Sequence, residues 1–194
     1  MYLMRYTFFE TTYRSRTEMM FSDSITHGKS SILVIGVGNA YRGDDAVGLI
    51  VAQHLKKQIL DHVNILEEST DGSVLMELWK NYDAVIIIDA VCSGAKPGTL
   101  HRFNASPQPI PTKYFHCSTH TFGVAEAIEL ARALKQLPQY LIVYGIEGKC
   151  FETGVRLSEE VEKAAQEVLK RVRQDIITLH HGKAQNNTKN TNIL

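Results

Sequence analysis

The sequence lacks the features of several common functional classes. Its formal net charge is zero and it has no basic block, so charge gives no support to a nucleic-acid or membrane-surface partner. No apolar run approaches the roughly 18 residues that a membrane span requires. The three cysteines form no C-x-x-C pair, which excludes a cysteine-only metal cage and favours a reducing compartment. Neither G-x-S-x-G nor H-E-x-x-H occurs, so nothing indicates the usual serine or zinc protease chemistry.

The length of 194 residues allows one domain with a sizeable core and short extensions. We predict that residues 1–30 are a loosely ordered extension, because they have neither a signal-peptide apolar centre nor a cleavage site. Residues 31–178 carry the regular apolar patterns of a folded domain. Residues 179–194 are polar and poor in large apolar side chains, and we expect a disordered tail.

Buried strands alternate with helices along this domain, which is typical of a wound α/β fold. Short apolar runs predict strands at 32–35, 63–66, 84–88 and 140–144. Helical spacing of apolar residues predicts helices after Asp44, after Asp71, over 119–136 and after Ser158.

Two connections differ from that pattern. Pro97-Gly98 turns the chain into a predicted strand at 99–103, and the link from the preceding strand is too short for a helical crossover, so this strand should be antiparallel. Residues 105–119 contain alternating prolines, which predict an extended arm with few internal hydrogen bonds. The arm is either functional or a plain surface connector.

The glycine turn after the first strand has two interpretations. Gly36-x-Gly38 resembles the start of a dinucleotide-binding turn, although Tyr41 stands at the third glycine position. Asp44 and Asp45 oppose this interpretation, since two carboxylates at a helix start repel a pyrophosphate. The alternative is that Asp44 caps the helix and Asp45 only favours its dipole.

Three side chains are predicted to lie at one edge of the sheet. Asp45 follows the first strand, Asp89 ends the third, and His120 begins the helix after the proline-rich arm. Ligands of open α/β sheets bind outside the carboxyl ends of the strands. Two carboxylates and an imidazole there would suit zinc or nickel and leave coordination positions open. Each side chain also has an ordinary structural explanation, so spacing alone leaves the metal site open.

A series of motifs runs through the domain in a fixed order. These are Gly36-Val37-Gly38-Asn39, Gly43-Asp44-Asp45-Ala46-Val47-Gly48, Asp71-Gly72, Ile88-Asp89-Ala90-Val91, Pro97-Gly98-Thr99, Ser118-Thr119-His120 and Gly145-Ile146-Glu147. Together they resemble the hydrogenase maturation endopeptidases, which trim the C-terminal extension from the large subunit of nickel–iron hydrogenases. The resemblance covers about residues 31–177.

The resemblance implies a three-layer α/β/α fold around a five-stranded mixed sheet, with strand order 2-1-3-5-4 and strand 4 antiparallel. It places the family's metal-contacting residues on Asp45, Asp89 and His120. The position of Asp45 is more often glutamate in the family. We also predict substrate contacts at Gly38, Asn39 and Gly72, and Asp44 is a candidate for moving a proton.

The implied function is cleavage of a hydrogenase large-subunit precursor after nickel insertion, by a monomer in the cytoplasm. The nickel is supplied by the substrate, and zinc or cadmium could occupy the same site in vitro. Two alternatives stay open: a nucleotide-binding Rossmann-like module, and a non-catalytic nickel-binding accessory protein.

Overall fold

A computed structural model describes residues 32–58, 62–68, 72–111, 114 and 122–190, the last nine of these by their backbone alone. The predicted extension at 1–30 and the candidate ligand His120 lie outside these ranges. Along the described ranges the elements are β1 (Ile32–Val37), a 3-10 helix (Gly43–Ala46), α1 (Val47–Lys56), β2 (Val63–Glu68), α2 (Gly72–Trp79), β3 (Ala84–Val91), β4 (Leu100–Asn104), α3 (Val124–Ala133), β5 (Tyr140–Glu147) and α4 (Glu159–Asn190).

The strands form one five-stranded sheet in the order β2-β1-β3-β5-β4. The pairs β1–β2, β1–β3 and β3–β5 are parallel, and β4 pairs antiparallel with β5. The predicted strand order and the direction of β4 are therefore confirmed. β1 and β3 are buried along their whole length because helices cover both faces of the sheet.

Two apolar cores separate the layers. One lies between the sheet and the pair α1 and α4, and it contains Val51 and Val168. The other lies between the sheet and the pair α2 and α3, and it contains Trp79 and Ile128. This arrangement is the predicted three-layer α/β/α sandwich. No helix within the described ranges is long and apolar enough to cross a membrane.

The last helix extends further than the sequence predicts. α4 continues to Asn190, so residues 180–190, predicted to be disordered, are helical in their backbone. This stretch contains one glycine and no proline, and nothing in it interrupts the hydrogen bonding that begins at Glu159. Because residues 180–190 have few apolar side chains, they show no apolar pattern that predicts a helix. Their backbone can still form helical hydrogen bonds.

Candidate functional site

Glycines let the start of α1 approach the ends of β1 and β3 closely. A Cβ atom at Gly48 would lie 2.2 Å from the carbonyl oxygen of Val37 and 2.3 Å from that of Ile88. A Cβ atom at Gly36 would lie 2.1 Å from the carbonyl oxygen of Gly48. Any side chain at these positions would push the helix away from the sheet. The glycines therefore bring the acidic 3-10 helix next to the residue that follows Ile88, which is Asp89.

Gly38 lies in close contact with the backbone of the acidic 3-10 helix. Its φ is +147°, and a Cβ atom there would lie 1.8 Å from the carbonyl oxygen of Asp45. The backbone N–H of Asn39 donates to that same oxygen at 3.2 Å. The backbone of Asp45 thus packs directly against the turn at Gly38. This geometry favours helix packing over dinucleotide binding as the role of the glycines.

Asp45 and Asp89 form a buried acidic pair at this edge of the sheet. Asp45 is 8% exposed and Asp89 is 5% exposed. Burial, and then the negative charge of Asp45, raise the pKa of Asp89 from 3.8 to about 7, against a hydrogen bond from the Ala90 N–H to Asp89 Oδ1. A carboxyl with this pKa exchanges its proton close to neutral pH. It would lose that proton when a cation binds beside it.

Arg42 adds a positive charge that the sequence interpretation did not identify. Its Nη1 atom lies 3.3 Å from Oδ2 of Asp45. The two side chains are 21% and 11% exposed, so water screens this ion pair only in part. Arg42 and Asp45 are three residues apart at the start of a helix, and this spacing is the sequence pattern that could have indicated the ion pair.

Asp44 differs completely from its neighbour. Its side chain is fully buried and accepts four hydrogen bonds. The donors are the N–H groups of Lys149 at 2.8 Å, Cys150 at 2.9 Å and Ser158 at 2.7 Å, and the Ser158 hydroxyl at 2.9 Å. Four is about the number of bonds that a carboxylate can accept. These contacts favour a structural role for Asp44, and its predicted part in proton transfer gains no support from them.

Glu147 is a further buried acid, and the sequence interpretation left it without a role. It ends β5 with 2% exposure. Its carboxylate accepts bonds from the N–H groups of Ser93 at 2.8 Å, Gly94 at 2.9 Å and Ala95 at 3.1 Å, and from the Ser93 hydroxyl at 2.7 Å. His101 Nε2 lies 3.5 Å from it. Glu147 therefore holds the loop that follows β3, the strand that carries Asp89.

The predicted substrate-contact residues are bonded within the protein. Asn39 Oδ1 accepts the Tyr41 N–H at 2.9 Å. The Gly72 N–H donates to the Phe122 carbonyl at 3.1 Å, and a Cβ atom at Gly72 would lie 2.6 Å from the Phe122 ring. These contacts explain why Asn39 and Gly72 suit their positions. A role for Gly38, Asn39 and Gly72 in binding substrate stays a prediction.

The first part of the proline-rich arm is anchored. The guanidinium of Arg132 donates to the carbonyl oxygens of Ala105, Ser106 at 2.9 Å and Gln108 at 3.1 Å. Ile110 is 4% exposed and packs into the core under α3. The arm is therefore held to α3 over 105–108, because Arg132 satisfies carbonyls that prolines leave out of regular structure.

The third predicted metal ligand, His120, lies outside the described residues. Within the described ranges, no three His, Cys, Asp or Glu side chains form a group that could hold a metal ion. The structure thus brings Asp45 and Asp89 together, and the complete ligand set stays a prediction. Oxygen donors in a buried acidic pair suit a divalent cation.

The fold and sequence match one protein family. Residues 49–175 match the sequence model of the family described as HycI, hydrogenase maturation protease. The chain is 30% identical over 145 residues to the hydrogenase 2 maturation protease of Escherichia coli strain K12, covering 73% of this chain and 87% of that protein. It is 29% identical over 118 residues to the hydrogenase expression/formation protein HupD of Thiocapsa roseopersicina, and spans 53% of that protein's length.

A solved structure supports the same assignment. The hydrogenase maturating endopeptidase HybD from E. coli superposes with a TM-score of 0.62 at 29% sequence identity. The match covers 73% of this chain and 89% of that one. The similarity therefore includes almost the whole of the solved domain.

Proposed function

This chain belongs to the hydrogenase maturation protease family, and we propose that it removes the C-terminal extension from the precursor of a nickel–iron hydrogenase large subunit. Family membership confirms the resemblance carried by the sequence motifs, and it makes the chain a peptidase. The substrate, its nickel and the location of the reaction belong to the proposal. We place the reaction in the cytoplasm and assign it to a monomer.

The observation that carries this proposal is the buried pair of Asp45 and Asp89. Both carboxyl groups lie at the carboxyl edge of the parallel strands, where α/β enzymes bind their ligands. Burial, and then the negative charge of Asp45, raise the pKa of Asp89, so the ionised form of Asp89 is disfavoured until a metal ion binds beside it. Nickel already held by the precursor would relieve that repulsion. His120 is the proposed third ligand.

Nickel engaged in this way would report that the metal has been inserted. It would also supply Lewis-acid chemistry, since a divalent ion polarises a carbonyl and lowers the pKa of bound water. Asp89 would release its proton as the ion binds, which couples recognition to a change of charge at the site. Zinc or cadmium would suit the same oxygen and nitrogen ligands in vitro.

The experiment is to mix the purified full chain with nickel-loaded and nickel-free precursor and to measure the precursor mass. We expect a shortened product only from the nickel-loaded precursor. If neither precursor is shortened, the peptidase proposal fails for this substrate. Nickel-dependent binding without cleavage would favour the accessory-protein alternative instead.

The nucleotide-binding alternative has its own test. Because the Asp45 carbonyl packs against Gly38, and because two carboxylates at a helix start repel a pyrophosphate, we expect no NAD(P) binding below about millimolar concentration. Calorimetric titration of the full chain with NAD(P) measures this directly. Micromolar affinity would favour the Rossmann-like module over the peptidase.

A further inference from the structure

Arg42 places its guanidinium beside Asp45 from a turn whose backbone hydrogen bonds do not involve the Arg42 side chain. The Arg42 N–H donates to the Asn39 carbonyl at 3.1 Å, and the Asp45 N–H donates to the Arg42 carbonyl at 3.0 Å. The Gly154 N–H donates to the Tyr41 carbonyl at 2.9 Å. These backbone bonds define the turn without any side chain of Arg42. The ion pair with Asp45 is therefore available for another purpose.

The guanidinium of Arg42 lies where it would compete with a metal ion for Asp45. It lies 3.3 Å from Oδ2 of Asp45, an oxygen that a metal ion at the acidic pair would also approach. A cation and a guanidinium compete for the same carboxylate, because both seek its lone pairs and because their positive charges repel each other. A guanidinium is a permanently charged group, so it can make room for a metal ion only by moving. It has to swing away or tilt when a metal ion binds.

Competition from Arg42 should weaken the binding of a free metal ion more than the binding of a metal ion held by a polypeptide. A free ion can offset the lost ion pair only with its own bonds to the site. An ion presented by a precursor comes with peptide contacts, which contribute further binding free energy. Arg42 thus lowers the affinity for free metal ions more than the affinity for a metal ion presented by the precursor. Such a difference in affinity, produced by repulsion, is a source of specificity.

We propose that Arg42 is a specificity-determining residue: its guanidinium occupies Asp45 in the free protein, disfavours free divalent ions and yields to nickel presented by the precursor. This inference rests on the proposed function for the identity of the ligand. Its first step, competition with free metal, depends only on the geometry of Arg42 and Asp45. The two can therefore fail separately.

The test is calorimetric titration of the full chain with free Ni²⁺ at fixed pH and salt. We expect Arg42→Gln to bind Ni²⁺ about tenfold more tightly than the wild type, because the competitor is gone while Asp45 and Asp89 remain. Arg42→Lys keeps the charge and should stay within about threefold of the wild type. Arg171→Gln is the matched control, since Arg171 pairs with Glu167 at 2.9 Å on α4. It should leave the affinity unchanged.

A second measurement uses the precursor. The ratio of affinities for nickel-loaded and nickel-free precursor should change in Arg42→Gln and not in Arg171→Gln. The inference is overturned if Arg42→Gln, with an unchanged circular dichroism spectrum, binds free Ni²⁺ no more tightly than the wild type. It is also overturned if Arg171→Gln gains as much affinity. A gain confined to Arg42→Gln supports the inference even if no precursor is cut, and that result would count against the proposed function alone.

Discussion

Asp44 accepts two hydrogen bonds from Ser158, one from the backbone N–H at 2.7 Å and one from the hydroxyl at 2.9 Å. The bonds join the first helical turn of the domain to the start of its last helix, α4. Ser158 directly precedes that helix, and its hydroxyl donates to an acid more than a hundred residues away. Asp44 and Asp45 are thus neighbours in sequence with unrelated environments.

The first prediction concerns Asp44 and stability. Asp44→Asn should lower the free energy of unfolding by on the order of 3 kcal/mol, because an amide cannot accept four hydrogen bonds and buried N–H groups lose their partner. Ser158→Ala removes one of the four bonds and should cost about 1 kcal/mol. Urea unfolding of both variants measures the difference. Equal and small losses would contradict the structural role of Asp44.

The second prediction concerns pH. Burial and Asp45 raise the pKa of Asp89 to about 7 in the folded protein, from 3.8 for the unperturbed group. The folded state therefore keeps a proton that the unfolded state has lost between these pH values. Stability should fall as the pH rises from about 4 to about 7, at up to about 1.4 kcal/mol per pH unit.

The control for this pH effect is Asp89→Asn, which cannot titrate. Unfolding free energies measured across the same pH range should fall less steeply in Asp89→Asn than in the wild type. Parallel curves would show that the raised pKa of Asp89 does not govern stability. The variant should also be at least as stable as the wild type near pH 7, because it buries no charge.

The third prediction concerns processing of the precursor. Asp45→Ala, Asp89→Ala and His120→Ala should each abolish cleavage of nickel-loaded precursor while the chain stays folded. The two acids lie at the carboxyl edge of the parallel strands, so we expect their removal to cost little of the apolar packing. Glu77→Gln is a matched control on the exposed face of α2. Normal cleavage by any two of the three alanine variants would refute the proposed ligand set.

The fourth prediction concerns the loop after β3. Glu147→Gln should destabilise the protein by on the order of 2 kcal/mol, because the amide nitrogen cannot accept the N–H groups that the carboxylate accepts. Hydrogen exchange at the Gly94 and Ala95 amides should accelerate in this variant. Glu160→Gln, which alters an exposed pair with Lys149, should leave this exchange unchanged. Unaltered exchange in Glu147→Gln would mean that other contacts hold the loop.

Local pattern in the sequence was enough to determine the elements and their order. Apolar runs, turn residues and helical spacing are properties of neighbouring residues, and they predicted β1 to β5 and the helices between them. The short link before β4 forced an antiparallel strand, and the structure confirms it. Local pattern did not predict that α4 continues to Asn190, because a polar composition marks the loss of apolar packing and not the loss of helical hydrogen bonds.

Tertiary structure alone decided what each acid does. Asp44 and Asp45 have the same chemistry and adjacent positions, so no local pattern separates the one that is saturated by Lys149, Cys150 and Ser158 from the one that faces Asp89. The same is true of Glu147, whose partners lie more than fifty residues away. A carboxylate's role depends on which donors and charges the fold brings within a few ångströms. That set is fixed by sheet order and by the close helix approach that Gly36 and Gly48 permit.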